Sequence, residues 1–131
     1  GGSSPCDQAK AAIKAANGTV TEAYNMMVSL NATMCQDILD QTVVTATESL
    51  AKAKQSFDDA MANYGSQLPT AIQESISKAA ATVFTAADQL QATVDKKKAK
   101  VEDMIKEAQK QATSLYEASQ KLADQATSDC A

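Results

Sequence analysis

The chain has 131 residues, of which 44% are hydrophobic and 4% aromatic, and its formal net charge is −4. It contains no His and no Arg, so it lacks the commonest general base and metal ligand as well as the planar cation that grips phosphate. We therefore expect one domain that is not an enzyme, with no cofactor, no metal and no nucleic-acid partner, and the short apolar runs predict no transmembrane segment.

Helix is expected along almost the whole chain. Residues 1–4 have the composition of a linker or cloning scar, and residues 5–131 are predicted to form a single helical domain. Ala, the best helix former, is abundant there, while Gly is limited to Gly18 and Gly65 and Pro to Pro5 and Pro69. No segment shows the period-two alternation of a strand, so the fold class is predicted to be all-α.

The first helical segment carries an apolar stripe in alternating steps of three and four residues, which is typical of a helix that buries one narrow face. Met26 and Val28 lie off this stripe and are expected to be exposed apolar contact residues. The stripe consists of Ile13, Ala16, Val20, Ala23, Met27, Leu30 and Met34.

Two N-glycosylation sequons accompany this segment, Asn17-Gly18-Thr19 and Asn31-Ala32-Thr33. They predict glycans on Asn17 and Asn31 and favour passage through the secretory pathway. The second sequon also falls where the first stripe changes phase, so it is a candidate break between helices.

A phase slip near Ile38 and Leu39 precedes the second stripe, and the strongest break of the chain follows that stripe near the middle of the sequence. Gly65 is expected to end a helix in the left-handed conformation, and Pro69 to be the first residue of the next helix. The second stripe consists of Val43, Ala46, Leu50, Ala53, Phe57, Ala60 and Tyr64.

Beyond the central turn the helical period continues in two further stripes, separated by a cluster of lysines. We interpret Lys96, Lys97, Lys98 and Lys100 either as a contact surface for an acidic partner or anionic surface, or as a solvated corner between helices. The stripes consist of Ile72, Ile76, Ala80, Val83, Ala87, Leu90 and Val94, and then of Val101, Met104, Ile105, Ala108, Ala112, Leu115, Ala118, Leu122 and Ala126.

Two architectures satisfy this pattern. If the chain folds at both interior breaks, it forms an antiparallel four-helix bundle with helices about 40 Å long. If the breaks do not fold, two arms of about 90 Å form an antiparallel coiled-coil hairpin. The bundle is favoured because a lone pair of helices leaves most of its apolar flanks exposed.

Three cysteines bear on the compartment and on self-association. Cys6 and Cys130 lie near opposite ends of the chain, where a disulfide would tie the ends together in an oxidising compartment. Cys35 is left over, either as a buried free thiol or as the site of an intermolecular disulfide in a homodimer, and a Cys6–Cys35 pairing also stays open. Together with the sequons, these cysteines predict a secreted, extracellular protein.

Neither a catalytic nor a metal site is expected. Neighbouring carboxylates such as Asp58 and Asp59 point about 100° apart on a helix and do not converge on one atom. Asp37 and Asp40 share a helix face near Cys35, but no imidazole or second thiol accompanies them. These residues are interpreted as solvated helix faces.

The sequence therefore favours a secreted, non-catalytic helical protein that binds a partner protein or surface through a helical face. The main alternative is a carrier of fatty acids or other small apolar ligands, because amphipathic helices can exchange their own core contacts for lipid. A structural, self-assembling role through a Cys35 disulfide is the third possibility.

Overall fold

The computed structural model describes residues 4–96 and 100–129, and this part of the chain folds into four α-helices without a β-strand. The helices are α1 (Pro5–Val28), α2 (Gln36–Tyr64), α3 (Thr70–Asp95) and α4 (Val101–Asp129). A short 3-10 helix, Gly65–Gln67, connects α2 to α3. The all-α prediction is confirmed.

The helices form a four-helix bundle, as the sequence favoured. The chain folds back at both interior breaks, so that α1 packs along α2 and α4 while α3 packs along α4. The long two-helix hairpin is therefore wrong. Folding at the breaks encloses the apolar stripes, which the hairpin would have left partly exposed to water.

Side-chain size sets the spacing of the helices. The backbones of α2 and α3 approach each other less closely than those of the other neighbouring pairs, and the rings of Phe57 and Phe84 meet between them with centroids 5.6 Å apart. Small residues allow a closer approach between α1 and α4. The Ala residues that these two helices bury are Ala9, Ala16, Ala23, Ala108, Ala112 and Ala126.

The bundle has two distinct ends. Contacts of Asn17 with Ser119 and of Met27 with Gln109 show that α1 and α4 run antiparallel. Residues 29–35, Lys96 and Lys100 therefore lie at one end of the bundle, which we call the loop end. Ser4, Asp129 and the connection between α2 and α3 lie at the opposite, terminal end.

The predicted stripes form the hydrophobic core. Met27, Ala46 and Ile76 are 0% exposed, and most other stripe residues are also buried. Near the helix ends the stripes are incomplete, since Val101 is 38% exposed. Half-buried stripe positions are Met34, Val43, Tyr64, Ile72, Ala87, Val94, Met104 and Ala118.

The phase slip near the start of α2 is resolved in favour of Leu39. Leu39 is 2% exposed, whereas its neighbour Ile38 is 55% exposed. Adjacent helical positions point about 100° apart, so the two cannot both face the core.

The central turn lies where it was predicted, but its conformation differs. Gly65 has φ −58° and ψ −42°, the right-handed helical conformation, so the expected left-handed cap is wrong. The 3-10 turn tightens the chain instead, and the amide of Leu68 donates to the carbonyl of Gly65 at 3.1 Å. Pro69 precedes the first helical residue of α3, Thr70, rather than being it, so its assignment was wrong by one position.

The start of α1 includes a residue that the sequence analysis set aside. The Ser4 hydroxyl oxygen accepts a hydrogen bond from the Asp7 amide at 3.2 Å, and Pro5 occupies the first helical position. Ser4 thus acts as an N-cap, which satisfies one of the free amides of the first turn. Helix α1 itself begins at Pro5.

Candidate functional site

Exposed apolar side chains concentrate at the loop end. Val28, Ile38 and Val101 are 42%, 55% and 38% exposed, and with Val44 they are the exposed large hydrophobic residues of the described chain. Val28 was predicted to be exposed and is. Large apolar side chains left in water at one end of a molecule suit a contact surface.

Met26 does not belong to this surface as predicted. It is only partly accessible and packs against the core cluster. Met26 is the neighbour in sequence of the core-facing Met27. Its long, unbranched side chain can bend back and contact the edge of the core.

Two residues of the predicted lysine cluster lie at the same end. Lys96 and Lys100 are exposed beside the end of α3 and the start of α4. Lys97 and Lys98 lie outside the described residues. Val28 and the exposed Lys96 and Lys100, which are about 70 positions apart in sequence, are thus brought to one end of the bundle.

The loop end is stepped rather than flat. Gln109 Nε2 donates to the carbonyl oxygens of Met27 and Val28 at 3.3 Å and of Leu30 at 3.0 Å, which places Gln109 level with the end of α1. Val101 begins α4 eight residues before Gln109, so α4 continues roughly 12 Å further. We call Lys96, Lys100 and Val101 the tip, and Val28 and Ile38 the shoulder.

Gln109 also explains why the chain can leave α1 at this level. The last carbonyls of a helix have no partner within the helix. The single amide group of Gln109, on α4, supplies a donor to three carbonyls around the end of α1. This cross-helix cap holds the end of α1, and with it Val28, against α4.

The described carboxylates of the loop end are not grouped around a common point. Asp40 Oδ1 accepts a hydrogen bond from Gln36 Nε2 at 2.8 Å along the same helix. Across residues 4–96 and 100–129, no three His, Cys, Asp or Glu side chains are placed to hold a metal ion. Asp37 and Asp40 are exposed on the surface of α2.

A buried polar pair joins α1 to α4, and the sequence analysis missed it. Asn17 Nδ2 donates to the Ser119 carbonyl oxygen at 2.8 Å, and Ser119 Oγ donates to Asn17 Oδ1 at 2.6 Å. Asn17 is 9% exposed and Ser119 0%. The sequence did indicate this burial, since Asn17 is in helical phase with Ile13 and Val20. Its sequon instead led to its interpretation as a glycan acceptor.

The two predicted glycosylation sites differ sharply. Asn17 is the buried residue just described, so its amide nitrogen is engaged between two helices and the prediction of a glycan there conflicts with the fold. Asn31 is exposed in the connection between α1 and α2. Asn31 stays a predicted acceptor.

The cysteines occupy both ends of the bundle. Cys35 is an exposed free thiol at the loop end, not the buried thiol that was one of its interpretations. Cys6 lies in the first turn of α1, and a Cys6–Cys35 pair does not fit the structure because Cys35 is free. Cys130 lies outside the described residues, so the Cys6–Cys130 bond stays a prediction.

Two grooves between the described helices open to solvent. One, about 620 Å³, runs between α3 and α4 and is lined by Ala79, Ala118, Lys78 and Lys121. A smaller groove of about 150 Å³ lies between α2 and α3 and reaches Leu50 and Phe84. Neither is an enclosed chamber of the kind that holds a bulky apolar ligand.

Comparison with known proteins finds no matching family, no matching curated protein and no matching solved structure. Along the described part of the chain, no helix is apolar enough over a sufficient length to cross a membrane.

Proposed function

We propose that the chain is a secreted, non-catalytic helical protein that binds a partner protein through the loop end of its bundle. The observation that carries this proposal is the position of the exposed large hydrophobic side chains. Three of the four in the described chain, Val28, Ile38 and Val101, lie at this end.

The chemistry of the loop end indicates what the partner surface presents. Val28 and Ile38 on the shoulder offer apolar area, while Lys96 and Lys100 on the tip offer exposed cations. A complementary partner has an apolar patch beside a group of carboxylates. Apolar contacts of this kind supply affinity, and rim charges chiefly orient the encounter.

The proposal is tested with a triple variant, Val28→Ser, Ile38→Ser and Val101→Ser. Wild-type protein is incubated with extracellular fluid of the source organism and treated with an amine-reactive cross-linker. We expect Lys96 and Lys100 to be cross-linked to one recurring partner. The yield of these cross-links should be at least tenfold lower for the triple variant.

The matched control is Val44→Ser, because Val44 is 51% exposed but lies more than one turn further into α2. It should cross-link like the wild type. Equal capture by the triple variant, or cross-links spread evenly over all lysines, would overturn the proposal. Circular dichroism establishes that each variant keeps its helices.

A fatty-acid carrier is the second candidate. It is favoured by the wider spacing of α2 and α3 and by the groove that reaches Leu50 and Phe84 between them. Native mass spectrometry of secreted protein separates the two functions. Co-purified lipid in stoichiometric amount supports the carrier, and ligand-free protein argues against it.

A disulfide-linked homodimer is the third candidate, since Cys35 is an exposed free thiol at the loop end. Such a dimer would cover the shoulder of both copies and so compete with a partner protein. Non-reducing electrophoresis tests it: a dimer band that Cys35→Ser removes would favour self-assembly, whereas a monomer with one alkylatable thiol would exclude it.

A further inference from the structure

We propose that Asn31 is the N-glycan acceptor of this chain, and that a glycan on Asn17 is incompatible with the folded bundle. The inference rests on the proposed secretory route but not on the proposed contact surface. The two sequons are equivalent by sequence. They differ in the surroundings that the fold gives to Asn31 and Asn17.

Asn31 meets the steric requirement for a glycan. It is exposed in the connection between α1 and α2, outside any helix. The Thr33 amide donates to Asn31 Oδ1 at 2.9 Å, and the Thr33 hydroxyl donates to the same oxygen. These bonds use the side-chain oxygen, so they do not involve the nitrogen Nδ2 that would carry the sugar.

The group transfer at Asn31 requires a glycan donor of the secretory membrane, a lipid-diphosphate-linked oligosaccharide. A bond forms between Asn31 Nδ2 and the anomeric carbon of the first sugar. The bond from that carbon to the diphosphate oxygen breaks, the lipid diphosphate leaves, and the amide nitrogen gives up one proton. No oxidant or reductant is needed.

Asn17 fails the same requirement once the bundle has formed. Its Nδ2 donates to the Ser119 carbonyl at 2.8 Å, and the Ser119 hydroxyl donates back to its Oδ1 at 2.6 Å. Asn17 is 9% exposed and Ser119 is fully buried, so the first sugar on Nδ2 would have to displace neighbouring side chains of α1 and α4. Displacing α4 would expose apolar residues and leave the partners of Asn17 unsatisfied.

The order of synthesis sharpens this conflict. Asn17 and Ser119 are 102 residues apart, so Asn17 is unprotected until α4 has been made. A chain that is modified at Asn17 during this interval cannot close the interface between α1 and α4. Modification of Asn17 therefore removes a chain from the folded population, whereas modification of Asn31 does not.

The experiment expresses the chain behind a cleavable secretory leader in eukaryotic cells, which imposes the secretory route whatever the natural location. Glycosidase release in ¹⁸O-water followed by peptide mapping marks each formerly occupied Asn. We expect the mark on Asn31 and its absence from Asn17 in secreted protein that melts cooperatively.

Two variants remove the sequons without touching either Asn. Thr33→Ala should abolish the glycan. Thr19→Ala should leave the mass and the melting temperature of the secreted protein unchanged, because the Thr19 hydroxyl bonds only along α1, to the Ala15 carbonyl at 3.3 Å. The secreted amount of Thr19→Ala should equal or exceed that of the wild type. If it is greater, the difference should correspond to wild-type chains that are glycosylated at Asn17 and retained inside the cell.

A cooperatively melting protein with a glycan on Asn17 would overturn the inference, and so would secreted protein with a bare Asn31. Both outcomes leave the proposed contact surface untouched, because that surface is tested by cross-linking of the loop-end variants.

Discussion

At the scale of single residues, the most specific feature of this protein is the reciprocal pair of Asn17 and Ser119. Two buried polar residues satisfy each other between α1 and α4. Buried polar groups cost free energy unless they are paired, so the pair disfavours any register in which the two do not meet. A rotation or sliding of α1 along α4 would break both bonds.

Ser119→Ala should destabilise the bundle by about 1–2 kcal/mol, because Asn17 Oδ1 loses its donor while remaining buried. Urea unfolding followed by circular dichroism measures the loss. Ser114→Ala is the matched control on the same helix, since the Ser114 hydroxyl is exposed and bonds to the Lys110 carbonyl at 3.3 Å. It should change stability by less than about 0.5 kcal/mol. Equal effects of the two substitutions would contradict the role assigned to the pair.

Residue-scale detail was only partly predictable from the sequence. Ile13, Val20 and Met27 were predicted to be buried because their spacing follows the helical period, and this is confirmed. Asn17 occupies the same phase but was interpreted through its sequon. Gln109 could not have been found, since its partners are backbone carbonyls, which leave no mark on the sequence.

At the scale of helices and turns, positions were easier to predict than conformations. The connection between α2 and α3 was placed by Gly65 and Pro69, which rarely occur inside helices. The conformation of this connection could not be predicted, because Gly is compatible with both the left-handed cap and the right-handed 3-10 turn. The structure shows no positive φ at any described Gly.

Gly65→Ala therefore distinguishes the observed turn from the predicted one. In the right-handed conformation, Ala should be neutral or should stabilise the protein by up to about 1 kcal/mol. The added methyl group would lie 3.2 Å from Met61 Cε, the end of a flexible side chain that can move. A left-handed turn would instead make the substitution destabilising. The midpoint of urea unfolding gives the sign.

Gly18→Ala provides the comparison for this measurement. Gly18 lies inside α1, and a Cβ there would meet nothing within 4 Å. It should stabilise the bundle by about 0.5–1 kcal/mol through helix propensity alone. A loss of stability at Gly65 beside a gain at Gly18 would show that the turn at Gly65 is not the one described.

At the scale of the whole molecule, the fold class and the bundle followed from the hydrophobic period and from the three breaks. The candidate surface followed in part: Val28 and the lysines were selected, but Ile38 and Val101 were not, since their exposure depends on how far each helix extends at the loop end. Periodicity gives the buried face of a helix, whereas the stagger between helices is a property of the assembled bundle.

The predicted Cys6–Cys130 disulfide belongs to this scale because it would close nearly the entire chain. In the chain-entropy model, such a loop contributes up to about 5 kcal/mol by restricting the unfolded state. The double variant Cys6→Ser and Cys130→Ser should lower the urea midpoint accordingly, and non-reducing peptide mapping should find the two cysteines in one linked peptide pair.

Cys35→Ser is the control, because Cys35 is exposed and free and its removal should leave the midpoint unchanged. If the double variant unfolds at the same urea concentration as the wild type, or if mapping pairs Cys6 with Cys35, the predicted connection is wrong. The urea midpoint of the wild type in the presence of a reducing agent measures the same effect without a substitution.

The opposition of the two bundle ends has a mechanical consequence. Ser4 and Asp129 lie at the end opposite to Val28 and Lys100, and α4 alone, with 29 residues, spans about 43 Å. A tether, label or additional domain joined at either terminus would stand off from the loop end by that distance. The proposed contact surface would then face away from anything joined at the termini.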